Sequence, residues 1–402
     1  MKIVHIEDYF HPNAGYQLNI LSKFMSKQGH DVTIITAEME KMPNFLTQFF
    51  GKENIEEYDQ KFTKQTGVKI IRLPIKAFIS GRAIFGKSIF ERVESLSPDI
   101  LYIHGNDTYI GMLYLLKLKT LKYPIIMDNH MVEMSSVNPF RKIYRVFYKS
   151  VIAPIVKKHE IKVIRTVNDD YVEKCLGIPL TQCPFVSFGS DTLLFYPNNS
   201  VREDFRKEYS ISEEDFVVVY TGKLDETKGG KFLAEAFKKK FINKKNKNIV
   251  LIIVGNSNGT EQYINEMEEI FQSSENKILR FPTQKYNELP KFYQSADLSV
   301  FPKECSLSFY DAQACALPVL SEDNAINIER LKFNNGYNFK ANDVNDFREK
   351  ILMCIEMDKG EYEKLRENAY NYVKQNYNYE DISNQITDIL IEEYNRFNLQ
   401  KY

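Results

Sequence analysis

Between Leu298 and Leu320 the chain passes from one apolar run, Leu298 to Phe301, through a short loop and a helical segment into a second apolar run that opens at Val319. Four apolar residues stopped by Pro302 are the length of a buried strand, too short for a helix. Strand, loop, helix and strand in such close succession belong to a parallel α/β sheet, and in such sheets ligands gather outside the carboxyl ends of the strands. Glu304 and the small residues Cys305, Ser306 and Ser308 fall at that edge. Asp311 is expected to open the helical segment, which Leu317-Pro318 closes. Free N–H groups and the helix dipole at such an opening favour anions.

The same alternation runs along the chain. Lys2 to Ile6 reads as a first strand, a turn at His11 to Tyr16 contains Gly15, and Tyr16 to Gln28 carries Leu18, Leu21, Phe24 and Met25 at helical spacing. Val32 to Thr36 follows as the next strand, so the opening is a βαβ unit of Rossmann type. Further strands are expected at Val68 to Leu73, Asp99 to Gly105, Pro124 to Met127 and Val163 to Val167. In the second half they are expected at Phe216 to Tyr220, Ile249 to Val254 and Ile278 to Phe281. Residues 38–66 show no clear period and read as loop or short helices. Asn198 to Glu214 is polar and charged, as an interdomain linker would be. Asp343 to Tyr377 and Glu380 to Tyr394 have helical period.

A chain of 402 residues exceeds one hydrophobic core, so two domains are expected, 1–195 and 196–379, followed by a last helical stretch, 380–402. The net charge of −1 argues against a general nucleic-acid binder. Five scattered cysteines lack metal-ligand spacing and point to reduced, cytoplasmic thiols. The chain opens directly on a core strand without a signal-peptide pattern, and no apolar run has the length that spans a bilayer. There is no dinucleotide fingerprint, P-loop or HExxH motif, which disfavours a nicotinamide dehydrogenase.

Candidate functional residues cluster at predicted strand ends. After Phe216 to Tyr220 comes Thr221-Gly222-Lys223-Leu224-Asp225-Glu226-Thr227-Lys228-Gly229-Gly230. A Gly-permitted turn, two cations and a following helix N-terminus suit a diphosphate. His104 ends one strand, and Asp128-Asn129-His130 ends the next. Asn138 to Lys162 mixes Arg141, Lys142, Arg145, Lys149, Lys157 and Lys158 with aromatic and aliphatic residues. A basic amphipathic helix of that kind, kinked or ended by Pro154, can lie on anionic lipid heads.

Taken together these marks resemble glycosyltransferase family 4, retaining nucleotide-sugar transferases of the GT-B fold. Asp311-Ala312-Gln313-Ala314-Cys315-Ala316-Leu317-Pro318-Val319 is similar to the second half of the family's Glu-x7-Glu signature, with Asp for Glu and Ala316 for Gly. Strict spacing puts Lys303 at the first Glu, one residue before Glu304. Lys223 and Lys228 resemble the family's Gly-Arg-Leu…Lys-Gly pair, and Gly189-Ser190-Asp191 with Phe195 resembles its Asn-Gly-Val-Asp…Phe segment. The resemblance implies an α/β chain of two Rossmann-like domains facing a central cleft, with the last helix (380–402) packing back on the first domain. It implies Gly15, Lys223, Lys228, Ser306 and Leu307 at the donor, Asp311 on the ribose and Glu304 on the sugar ring. His130 would border the reaction centre, with His104 and Asp128 on the acceptor side.

The activity implied is retaining transfer of a sugar from UDP-sugar or GDP-sugar to a glycan or lipid-linked acceptor, without a metal, in bacterial cell-surface polysaccharide assembly. Such an enzyme would be cytoplasmic, either free or peripheral at the inner face of the membrane. Two alternatives remain open on the sequence. One is another GT-B enzyme, such as a nucleotide-sugar epimerase or a glycogen-synthase-like polymerase. The other is a non-catalytic GT-B partner subunit of a transferase.

Overall fold

The computed structural model describes residues 1–47, 50–131, 139–303 and 306–399, apart from the side chain of Phe45. The chain divides into two compact units, Met1–Phe188 with Tyr379–Tyr402, and Gly189–Asn378. The expected boundary at residue 195 therefore falls inside the second unit.

The first unit is built on a parallel sheet of β1 (Lys2–Glu7), β2 (Asp31–Ala37), β3 (Lys69–Leu73), β6 (Ile100–Ile103), β7 (Ile125–Asn129) and β8 (Val163–Arg165), in the order β3-β2-β1-β6-β7-β8. Helices cover both faces of such a sheet, so its strands are apolar throughout rather than alternating. β6 (Ile-Leu-Tyr-Ile) is buried at every position, whereas the edge strand β3 is half-exposed. A small antiparallel hairpin, β4 (Ile75–Ile79) and β5 (Arg82–Phe85), turns at Ser80-Gly81, where both residues have positive φ. The last helix, Tyr379–Leu399, packs on the first, Gln17–Lys27, and Gln28 Nε2 donates to Asn384 Oδ1 at 2.8 Å.

The second unit repeats the plan. β9 (Phe216–Thr221), β10 (Ile249–Val254), β11 (Lys277–Phe281), β12 (Leu298–Phe301), β13 (Val319–Glu322) and β14 (Gly336–Phe339) are ordered β11-β10-β9-β12-β13-β14. Both orders are the doubly wound Rossmann order, which reverses between the first and fourth parallel strands and leaves a ligand crevice there. In these units the reversals lie between β1 and β6, and between β9 and β12.

Two segments differ from expectation. Within 38–66, Ile55–Thr66 is a full helix with no buried residue, ended by Gly67 at φ 77°. It is held by Asp59, which accepts from Arg72 Nε at 2.6 Å and Nη2 at 2.8 Å, so an ion pair replaces the missing apolar period. The expected linker contains the helix Asn199–Glu208, capped by Asn198. Not all of its charges are solvated: Arg206 is 1% exposed and donates to Asp297 Oδ2 at 2.7 Å and to the Ser295 carbonyl at 3.1 Å. Asp297 also accepts from Arg202 and from the Val217 amide. A buried guanidinium stands only when paired and fully hydrogen-bonded, and composition could not show that partner.

The basic stretch is a helix from Arg141 to Phe147, a π-turn from Tyr148 to Ile152 and a helix from Ala153 to Lys158. Pro154 does not end it: the helical path continues through it to Lys158, with the π-turn lying directly before it.

Candidate active site

In the first unit a buried polar chain crosses the carboxyl ends of β1, β6 and β7. His5 Nδ1 lies 3.0 Å from His104 Nε2, and His104 Nδ1 lies 2.6 Å from Asp128 Oδ2. Asp128 Oδ1 accepts from the Gly105 amide at 2.7 Å and lies 3.1 Å from His130 Nε2. Asp128 is fully buried. Burial alone would raise its pKa, but His130, His104 and their hydrogen bonds outweigh that and hold the carboxylate ionised far below its ordinary range. In return, Asp128 overcomes the burial of His130 and raises its pKa. His5 is lowered by burial and by His104, and stays neutral.

His104, Asp128 and His130 form a group whose ligand atoms lie within 4.8 Å of one another. A metal ion needs room between its ligands; here the atoms are in hydrogen-bond contact with each other, so the group is a hydrogen-bond relay.

Acidic side chains surround the relay. Asp8, just past β1, is 5% exposed, with Arg82 and the Ala83 backbone amide favouring its charged form. Burial, with Glu7 beside it, raises its pKa to about 7. Arg82, delivered by the hairpin, is committed to Asp107 at 2.9 and 3.0 Å. Gly15 lies half-buried at the end of the same β1 loop.

In the second unit the loop after β9 is shaped by close backbone approach. Gly222 has φ 144°, and a Cβ on Gly255 would stand 1.9 Å from the Gly222 carbonyl oxygen. Only glycine at 255 lets the loops after β9 and β10 touch. Asp225 Oδ1 accepts from the Lys228 amide at 2.9 Å and from Thr227 Oγ1 at 2.7 Å, and so fixes the turn that carries Lys228. Gly229 is the N-cap of the helix Gly230–Lys238. Burial and the like charge of Lys228 lower the pKa of Lys223, against the pull of Asp225. Lys223 and Lys228 are both carried on this one loop, between β9 and the helix Gly230–Lys238.

Lys303 joins them from β12: its Cγ would lie 3.2 Å from a Cβ on Gly229. Glu304 and Cys305 lie outside the described residues. Ser306 Oγ accepts from the Ser308 amide at 3.2 Å, and Leu307 is the N-cap of the next helix.

That helix runs Ser308–Ala314, so Asp311 lies within its first turn rather than opening it. Asp311 is 5% exposed; its Oδ1 accepts from Ser190 Oγ at 2.7 Å and from Tyr286 OH at 3.1 Å. Burial raises its pKa to about 7, with the two hydroxyl donors opposing and Asp191 adding. The sequence did not single out Ser190 or Tyr286 as partners of Asp311. The signal was the Gly189-x-Asp191…Phe195 segment, whose buried Phe195 packs on Tyr286 at 5.0 Å.

Two Rossmann units of this strand order are the architecture of the GT-B fold. Residues 201–375 match the family model for glycosyl transferases group 1, and the chain is a glycosyltransferase. A probable sucrose-phosphate synthase of Thermosipho melanesiensis is 23% identical over 95% of this chain and 92% of its own. Among solved structures, a glycosyltransferase of Rickettsia africae superposes with a TM-score of 0.72 at 14% identity, covering 98% of both chains. Anabaena HepE, solved with UDP and glucose, superposes at 0.69 and 17% identity, covering 97% of this chain and 99% of its own. Among the described residues no helix is long and apolar enough to cross a membrane.

Proposed function

We propose that this glycosyltransferase moves a sugar from a nucleoside diphosphate sugar to a hydroxyl of a glycan or lipid-linked acceptor, with retention of anomeric configuration, in bacterial surface-polysaccharide assembly. The observation that carries the reading is the Gly222–Gly230 loop, which presents Lys223 and Lys228 at the sheet reversal of the unit that matches the family. Two cations there neutralise a departing diphosphate, which stabilises charge that develops in the transition state. They supply the charge that a metal would otherwise supply, so the reading needs none. The UDP and UDP-glucose in the HepE structures favour a uridine donor.

A lipid-linked acceptor needs a docking surface. Phe140, Ile143 and Val146 are 69%, 71% and 66% exposed beside the exposed Arg141, Lys142 and Lys149. Apolar residues ringed by lysine and arginine suit the interface of an anionic membrane. A second reading, transfer to a sugar phosphate, is favoured by the relative of sucrose-phosphate synthase type.

A melting-temperature screen with UDP, GDP, CDP and ADP, followed by product analysis with the matching labelled sugar donor, tests the function. A bound nucleoside diphosphate raises the melting temperature by mass action. If none of the four does, the donor assignment is wrong. The acceptor that becomes labelled, lipid-linked glycan or sugar phosphate, decides between the readings, and the anomer formed decides retention.

A further inference from the structure

The protonation of His130 is decided by two oxygens. Thr166 Oγ1 lies 3.1 Å from His130 Nδ1 and 3.2 Å from the Asn129 carbonyl oxygen. A hydroxyl has one proton to donate, and a carbonyl oxygen only accepts. When Thr166 donates to Asn129, it has none left for the ring, and His130 Nδ1 must carry its own hydrogen and donate to Thr166. On the other side of the ring, Nε2 faces Asp128 Oδ1 at 3.1 Å. An ionised carboxylate accepts only, so Nε2 needs a hydrogen as well.

We propose that Asp128 and Thr166 together hold His130 as an imidazolium, which makes Thr166 a positioning residue for His130. The rest of the cluster agrees. His104 Nδ1–H donates to Asp128 Oδ2, and one hydrogen between His104 Nε2 and His5 Nδ1 serves both rings. Glu7 and Asp107 both favour charge on His130, while Arg82 is spent on Asp107. Phe188 stacks on the His130 ring at 5.4 Å and 25°, and an aromatic face attracts a cation. On the glycosyl-transfer reading, on which this consequence rests, the charged ring cannot take a proton from an acceptor hydroxyl. It is a fixed positive charge at the carboxyl edge of the first sheet.

The test is a nitrogen-15 NMR titration of the ring in the full chain, assigned by the loss of its signals in His130→Gln. The expected result is hydrogen on both ring nitrogens at neutral pH and a midpoint above the ordinary histidine value of about 6.5. Thr166→Val should lower the midpoint and Thr166→Ser should restore it. Asp128→Asn should lower it by about one to three pH units. A neutral wild-type ring with hydrogen on Nε2 alone would overturn the proposal, as would a Thr166→Val midpoint equal to the wild type. Asp128 is deeply buried, so the Thr166 pair decides the matter if Asp128→Asn does not fold. The titration reads protonation without any transfer, so a chain that transfers no sugar yet shows a charged ring fails the function and keeps this inference.

Discussion

Ser190 Oγ donates to Asp311 Oδ1 at 2.7 Å, tying the first residues of the second unit to the helix that follows β12. With Tyr286 on the same oxygen, the carboxyl is oriented but nearly sealed from solvent. A carboxylate kept that dry titrates late.

Asp311 should therefore make stability fall as pH rises. Its native pKa of about 7 lies above the unfolded value of 3.8, so the native state binds the extra proton between those two values. The contribution is fully present below the unfolded value and is lost as pH rises through about 7. It amounts to at most about 4 kcal/mol. Urea unfolding across this range should show a shallower decline in Asp311→Asn than in the wild type. The decline should not vanish, because Asp8 titrates in the same window. Identical pH slopes for the two proteins would remove Asp311 as a source.

Lys228→Ala should weaken nucleoside diphosphate binding about tenfold or more, since a charge-assisted hydrogen bond contributes about 1.5–3 kcal/mol. Binding of the bare nucleoside should be unaffected. Lys303 lies against Gly229 in the same loop, so Lys303→Ala should raise KM for the donor. Glu304→Ala should instead lower kcat, if Glu304 takes the role the family resemblance gives it. Calorimetry with UDP and uridine checks the first claim, and steady-state kinetics the other two. A loss of kcat confined to Lys303→Ala would return the acidic role to the strict spacing.

Ala316→Gly should stabilise the protein by about 1 kcal/mol. Ala316 has φ 56°, in the left-handed region that a Cβ disfavours by roughly 1–2 kcal/mol. Glycine's larger unfolded-state entropy offsets part of that gain. Urea unfolding at one pH measures the difference, and a less stable variant would show that the turn is not strained.

The chain should cosediment with vesicles containing anionic lipid, and less so as salt rises, because screening shortens the reach of its charges. Each basic residue near such a surface contributes about 1 kcal/mol. Replacing Arg141, Lys142 and Lys149 by Gln should abolish attachment. Arg145 stays in place, since it lies over the Tyr171 ring at 5.5 Å and serves the fold. Attachment that survives the triple variant would assign the stretch to solvent and turn attention to a sugar phosphate acceptor.

The sequence by itself determined the strands and the ends at which chemistry gathers. Runs such as Phe216–Thr221 and Ile249–Val254 are buried at every position, and apolar continuity needs no partner to be recognised. The lysine loop was legible for a related reason: glycine and charge at a strand end follow from local backbone needs. What only the tertiary structure decided are pairings between residues far apart. Arg206 became a core residue because Asp297 lies across from it, which turned a charged linker into a helix. Asp311 became a dry, late-titrating acid because Ser190 and Tyr286 close over it. His130 acquired its charge from Asp128 on one side and Thr166 on the other. The state of an ionisable group is set by what desolvates and pairs it, and those neighbours are assembled by the fold.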